Sequence, residues 1–171
     1  MPENEKPTVE APDSSSTEAP QPADPMEAPL YTEKLWPAIW IWIVVAGISA
    51  AGIFILAPLN LVAGYIAAGV LFVLQAGFLI LSTPRIAVYR NTLTVGRATI
   101  ERRFIGSVEG FRGDAAGLQR GPRLNGLAFL CLRGWIDPVV RLEIVDPADP
   151  TPYWLTSTRR PEQLVAALTA P

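Results

Sequence analysis

The chain of 171 residues has no histidine and a single cysteine, Cys131. Without histidine, no ordinary side chain titrates near neutral pH and no Cys/His zinc cluster can be assembled. A lone cysteine excludes an internal disulfide, so nothing points to an oxidising compartment. Lysine is nearly missing too: Lys6 and Lys34 are the only two, and the remaining positive charge is arginine. Neither GxxxxGK[ST] nor GxGxxG occurs, so the glycines form no phosphate-cradling loop. Cys131 lies inside the apolar run LAFLCL and reads as a buried thiol with no histidine to activate it. Asp137, Glu143, Asp146 and Asp149 are close in sequence, but Asp146 and Asp149 stand in Asp-Pro turns, where a carboxylate caps local backbone. These absences favour a non-enzymatic protein with no cofactor and no metal site.

The charge that is present is strongly partitioned. Residues 1–30 hold seven acidic residues against Lys6, with many prolines, alanines and serines. Such a segment buries too little apolar surface to offset the entropy of ordering, and is expected to be a disordered, solvated tail. Residues 84–171 carry twelve arginines against eight acids, a formal +4. Between them, Glu33 and Lys34 are the last charges before a long neutral stretch.

That stretch, within 31–83, contains two uncharged apolar runs, 36–57 and 61–82. At ~1.5 Å per helical residue, each can cross a hydrocarbon core of ~30 Å. The first run follows an acidic leader and exceeds the length of a signal-peptide core, so both read as transmembrane helices. The link Ala57-Pro58-Leu59-Asn60 is short enough to force a hairpin. Lys34 precedes the first span and Arg85, Arg90 and Arg97 follow the second, while the turn has no positive charge. Both termini are therefore expected on the cytoplasmic side of the cell membrane, with Trp36, Trp40 and Trp42 at the headgroup layer. The small-residue pairs Ala46/Ala50, Gly47/Ala51 and Gly64/Ala68 suit packing within the hairpin, with a homodimer seam as the sharper alternative. Gln75 is the only amide in either span, which suits one interhelical hydrogen bond better than a transport path.

After Pro84 the apolar period changes from helical to alternating. Ile86 and Val88, then Leu93 and Val95, then Thr99-Ile100 predict short antiparallel strands, punctuated by Asn91-Thr92 and Gly96-Arg97. Residues 104–111 continue the pattern and 112–126 read as a loop. Residues 127–132 read as a fully buried strand, with further strands at 139–145 and 153–157. Pro161-Glu162 opens a C-terminal helix, 161–169, with Leu164, Val165 and Leu168 as its apolar face. Six or seven strands and one terminal helix predict a mainly-β, pleckstrin-homology-like (PH-like) barrel or sandwich closed by that helix, over 84–171.

The segments Arg120-Gly121-Pro122-Arg123, Cys131-Leu132-Arg133-Gly134-Trp135, Pro150-Thr151-Pro152-Tyr153-Trp154 and Ser157-Thr158-Arg159-Arg160-Pro161, behind YTEKLWPAIWIW and an apolar hairpin, are distinctive. In these the chain resembles the actinobacterial DUF3093 family of small membrane proteins, from about Tyr31 to Leu168. The resemblance implies membrane topology and length. It supplies no activity and no catalytic residue.

The arginines are the constellation with a functional pull. Arg120 and Arg123 flank Gly121-Pro122, Arg133 precedes Gly134-Trp135, and Arg159 and Arg160 precede the last helix. Guanidinium groups beside a helix N-terminus suit an anion, and at a cytoplasmic leaflet that anion is a lipid headgroup. The competing reading pairs the arginines with the domain's own acids. A nucleic-acid partner fits poorly, for want of lysine and of aromatic–basic interleaving. The expectation is a hairpin-anchored module that binds a protein partner or an anionic headgroup. The alternative is an accessory subunit of a larger membrane complex, acting through its spans; oligomeric state stays open.

Overall fold

The structure, a computed structural model, describes residues 28–170. A short strand, β1 (Tyr31–Lys34), precedes two long helices, α1 (Ile39–Leu56) and α2 (Leu61–Leu81). Next come β2 (Arg85–Val88), β3 (Thr92–Val95) and β4 (Ala98–Glu101), then a 3-10 turn at Arg102–Phe104. β5 (Ile105–Phe111), α3 (Gly113–Arg120), β6 (Phe129–Cys131), β7 (Val139–Ile144), β8 (Tyr153–Ser157) and α4 (Pro161–Thr169) complete the order. Of the acidic tail, residues 1–27 lie outside the described residues.

The two helices are uncharged throughout, and both are long and apolar enough to cross a membrane. Helix α1 begins at Ile39, three residues after the expected Trp36: Pro37 disfavours helical backbone at Trp36, and Ala38 is extended. Asn60 caps α2, its side-chain oxygen accepting from the N–H groups of Val62 (2.9 Å) and Ala63 (3.2 Å). Most side chains of the pair point outward; Ile39 and Leu81 are over 80% exposed. One face of α1, with Ile41, Val45, Ser49 and Gly52, is buried, and the helices come closest at glycine. A Cβ on Gly64 would stand 3.2 Å from the Ile53 carbonyl oxygen, and one on Gly52 would stand 3.3 Å from Leu71 Cδ1. The Gly64/Ala68 pair thus packs within the hairpin, whereas Gly47 faces open space. Gln75 Nε2 donates to Ser49 Oγ at 3.5 Å, joining the two helices.

The remaining elements form two four-stranded sheets that do not close into a barrel. Sheet A is the meander β1-β2-β3-β4, and sheet B has the order β5-β7-β8-β6. Strand β1 lies within the segment read from sequence as hairpin, yet it pairs with β2 in the register Tyr31↔Val88 to Lys34↔Arg85. Leu30 extends this ladder by donating to the Val88 carbonyl at 2.8 Å. The β domain therefore begins before the helices and resumes after them, rather than starting at residue 84. The loop between β3 and β4 puts Gly96 first of two residues, at φ +65°, a backbone that glycine adopts without strain.

Alternation along the strands decides what each face covers. Ile86, Val88, Leu93 and Val95 of sheet A meet Val140, Leu142, Ile144 and Trp154 of sheet B in one core, with Leu35 and Leu164. The opposite face of sheet B holds Val139, Tyr153 and Leu155 under Ala116 of α3. Sheet B is thus covered on both sides, and every residue of β8 is buried. Each fully buried leucine contributes ~1.5–3 kcal/mol of transfer free energy.

The structure departs from two of the expected elements. The stretch 112–126 is not all loop, since Gly113–Arg120 forms α3. The run 127–132 is not fully buried: strand β6 spans only three residues, and Leu127 and Leu130 are 69% and 43% exposed. The reason is position, for β6 lies at the edge of sheet B, parallel to β8.

Candidate membrane-proximal site

Strand directions place the chain's charges at one end or the other of the β domain. Strand β1 runs into α1 and β2 leaves α2, so the cross-strand partners Lys34 and Arg85 sit at the helix end. Strand β3 returns toward that end, where the Gly96 N–H donates to the Arg85 carbonyl at 2.8 Å and Arg97 completes the turn. In sheet B the parallel strands β6 and β8 also run toward the helices: Cys131 Sγ lies 3.8 Å from the position a Gly96 Cβ would take. Arg133, Arg159 and Arg160 follow the ends of those two strands.

Two guanidinium groups close on the helix ends themselves. Arg159 Nη2 donates to the Trp36 carbonyl at 2.6 Å, just ahead of α1. Arg133 Nη2 donates to the Ser82 carbonyl at 2.7 Å, where α2 ends, a terminus whose free carbonyls attract a cation. Lys34 Nζ lies 4.2 Å from the centre of the Trp36 ring. The base of the hairpin is therefore strapped on both sides to the β domain.

Glu33 organises the protein beneath these straps. Its carboxylate accepts from Tyr31 OH (2.7 Å), from the Arg159 N–H (2.9 Å) and, through a short bond, from the buried Thr158 hydroxyl. Thr158 Oγ1 in turn accepts from the Arg160 N–H at 3.1 Å. Burial pushes the Tyr31 hydroxyl up to about 12, so it stays a donor at any physiological pH. Strand β1 is in this way tied to the turn that starts α4. No local pattern in the sequence marks Glu33, which stands between Thr32 and Lys34, 125 positions from Thr158.

The five arginines singled out from sequence are not one site. Arg133, Arg159 and Arg160 share the helix end. Arg120 is taken by Asp137 at 2.6 Å, and Asp137 also accepts from the Gly113 N–H at 2.8 Å. That backbone bond, followed by Arg120, holds the Asp137 carboxyl below its usual range. Arg123 lies at the opposite end, its carbonyl accepting from Tyr153 OH at 3.4 Å. Arg90, read from sequence as flanking the membrane, also stands at that far end, where its carbonyl accepts from Arg102 at 3.1 Å. Arg102 binds the Leu168 and Ala170 carbonyls as well, at the end of α4.

The carboxylates likewise have separate tasks. Asp146 and Asp149 accept from the N–H groups two residues on, each at 2.9 Å. Glu143 accepts from Ser107 Oγ at 2.8 Å. Glu162 makes a bidentate pair with Arg112 (2.8 and 2.7 Å), which draws its carboxyl down to about 2. The Cys131 thiol is buried, and desolvation raises its pKa. A shallow groove of about 440 Å³ runs between β5 and α4, lined by Gly110, Pro161, Val165 and Ala166, and no arginine borders it.

Fold and site together define a class: a two-sheet domain with an apolar helical hairpin spliced between neighbouring strands and a basic rim around its base. Within that class the chain belongs to the DUF3093 family, described as a protein of unknown function, whose model matches residues 30–168. The match begins just ahead of β1 and ends in α4, so it takes in both parts of the β domain. No curated protein and no solved structure matches the chain.

Proposed function

We propose that this protein is a non-enzymatic module anchored in the cell membrane by α1 and α2, which binds anionic headgroups or a protein partner at the cytoplasmic face. The observation that carries the reading is the pair of straps from Arg159 to Trp36 and from Arg133 to Ser82. They hold the β domain at the very ends of two apolar helices, with cations at the level where headgroups begin. The bias of Lys and Arg to this end favours a cytoplasmic domain, with both termini on that side. A meander of four strands, the antiparallel trio β5-β7-β8 and a closing helix support a PH-like domain; β6 and α3 are additions to that plan.

Topology is tested by single added cysteines in intact cells, Cys131 being buried. A cysteine at Leu59 is expected to react with a membrane-impermeant maleimide added outside, and one at Arg97 only after permeabilisation. The reverse pattern overturns the reading. An accessory subunit that works through its spans is the second reading, supported by Gly47, Gly69 and Gly77, where an added Cβ would meet no atom within 4 Å. Exchanging residues 37–82 for an unrelated hairpin separates the two. Partners retained after the exchange sink the accessory-subunit reading.

A further inference from the structure

Lys34, Arg85, Arg97, Arg133, Arg159 and Arg160 come from scattered points of the sequence, yet all stand where the β domain meets the helices. Among the described residues, none of these six side chains has an acidic partner within salt-bridge distance. The acids at this end are already occupied: Glu33 by two hydroxyls and a backbone N–H, Asp137 by Arg120 and Glu162 by Arg112. At the far end the balance differs, with Glu101, Glu143, Asp146 and Asp149 standing among Arg90, Arg103 and Arg123. Arg103 there is paired with Glu101 at 2.8 Å. The asymmetry does not arise from composition; strand direction creates it.

We propose that these six residues form a collar that selects anionic phospholipids around the hairpin. The proposal rests on the membrane-anchor reading above, commits its ligand to phospholipid and names the residues that select it. Uncompensated guanidinium groups at the end of an apolar hairpin face phosphate oxygens, which accept two parallel N–H bonds from each fork. Arg85, Arg97 and Arg160 are exposed, and among the described residues no side-chain bond occupies their guanidinium groups; Arg159 is exposed and keeps Nε and Nη1 for such a bond. Arg159 spends one nitrogen on the Trp36 carbonyl, and Arg133 both terminal nitrogens on the Ser82 and Leu132 carbonyls. Arg133 thus adds charge rather than a free fork, and the two bonds to the helix ends fix the height of the guanidinium groups relative to the bilayer. Attraction of this kind is worth about fivefold per charge, the equivalent of ~1 kcal/mol, and weakens with salt.

The test uses the full chain in nanodiscs of phosphatidylcholine with a minor fraction of phosphatidylglycerol, counting the lipids retained on the protein by native mass spectrometry. Wild type is expected to retain phosphatidylglycerol several-fold above its bulk fraction. Lys34→Gln/Arg85→Gln/Arg97→Gln is expected to abolish the enrichment, whereas Arg90→Gln/Arg103→Gln/Arg123→Gln, with the same change in charge, keeps it. Equal losses in the two triple variants, or no enrichment in wild type, overturn the collar. Excess inorganic phosphate at constant ionic strength is expected to leave the enrichment in place; its abolition means a soluble phosphate ligand and overturns the lipid assignment. A chain that does not enter nanodiscs at all refutes the anchor, while one that enters without selecting lipid refutes the collar alone.

Discussion

In α1 and α2 most side chains face away from the protein; α1 buries only Ile41, Val45, Ser49 and Gly52, and the helices come closest at Gly52 and Gly64, with one Ser49–Gln75 contact. In the β domain the reverse holds: two sheets bury large aliphatic side chains between them, and one sheet is covered on both faces. The hairpin is thus made to present apolar surface and the domain to hide it. Packing in the helices is closest at glycine, where a missing side chain lets backbones approach. In the sheets it depends on filled volume. The polar groups follow the same division, since the helices hold one weak pair and the domain a saturated carboxylate at Glu33.

The largest expected effect comes from cutting the domain away from its first strand. A fragment of residues 84–170 lacks Tyr31 and Leu35, both buried in the shared core, and is expected to show no cooperative thermal unfolding. Joining Trp36 to Thr83 by a short Gly/Ser linker, with α1 and α2 removed, is expected to give a folded domain. If the fragment unfolds as cooperatively as the linked form, the division between hairpin and domain is wrong.

A smaller effect compares the two polar nodes. Glu33→Ala removes the acceptor shared by Tyr31, Thr158 and the Arg159 N–H, leaving the two hydroxyls only their long 3.5 Å contact with each other, at a cost of about 1–3 kcal/mol. Ser49→Ala removes the contact between helices, at about 0.6 kcal/mol. Denaturant unfolding of both variants in the same detergent, followed by near-UV circular dichroism, ranks them; equal losses would erase the contrast.

The smallest effect lies on the domain surface, between Arg112 and Glu162. The Glu162 carboxyl falls from 4.5 to about 2 on folding, so its contribution to stability is present above pH 4.5 and is lost as pH drops toward 2. Glu162→Gln is expected to be less stable than wild type at pH 6 and to converge with it near pH 2. A gap between the two that stays constant with pH would show that the pair contributes nothing through charge.

The helices were legible because about twenty uncharged apolar residues in a row admit few other structures, and the strands of sheet A after residue 84 because they alternate. Strand β1 was not legible: Tyr-Thr-Glu-Lys is short and polar, and its partner lies beyond both helices. Helix α3 was hidden by Gly113 and Gly117, which lower helix propensity, and it forms because Ala116 is buried against sheet B. The half-exposure of β6 follows from an edge position that no local pattern encodes. The arginines showed the same limit. Their number was visible, but which faced acids and which faced the helices depended on strand direction. Arg120 and Arg123 looked like one pair in sequence and are held by quite different neighbours.

The splice of the hairpin between β1 and β2 also bears on how the chain is made. Fifty residues separate Lys34 from its cross-strand partner Arg85, a loop whose closure costs on the order of 3–4 kcal/mol in a flexible chain. On the ribosome, β1 emerges first and can pair with nothing until both helices have been synthesised. Antiparallel association of α1 and α2 then returns the chain to its starting point and supplies that closure in advance. Pairing of the helices thus favours assembly of sheet A, and a defect in that pairing is expected to surface as misfolding of strands outside the hairpin.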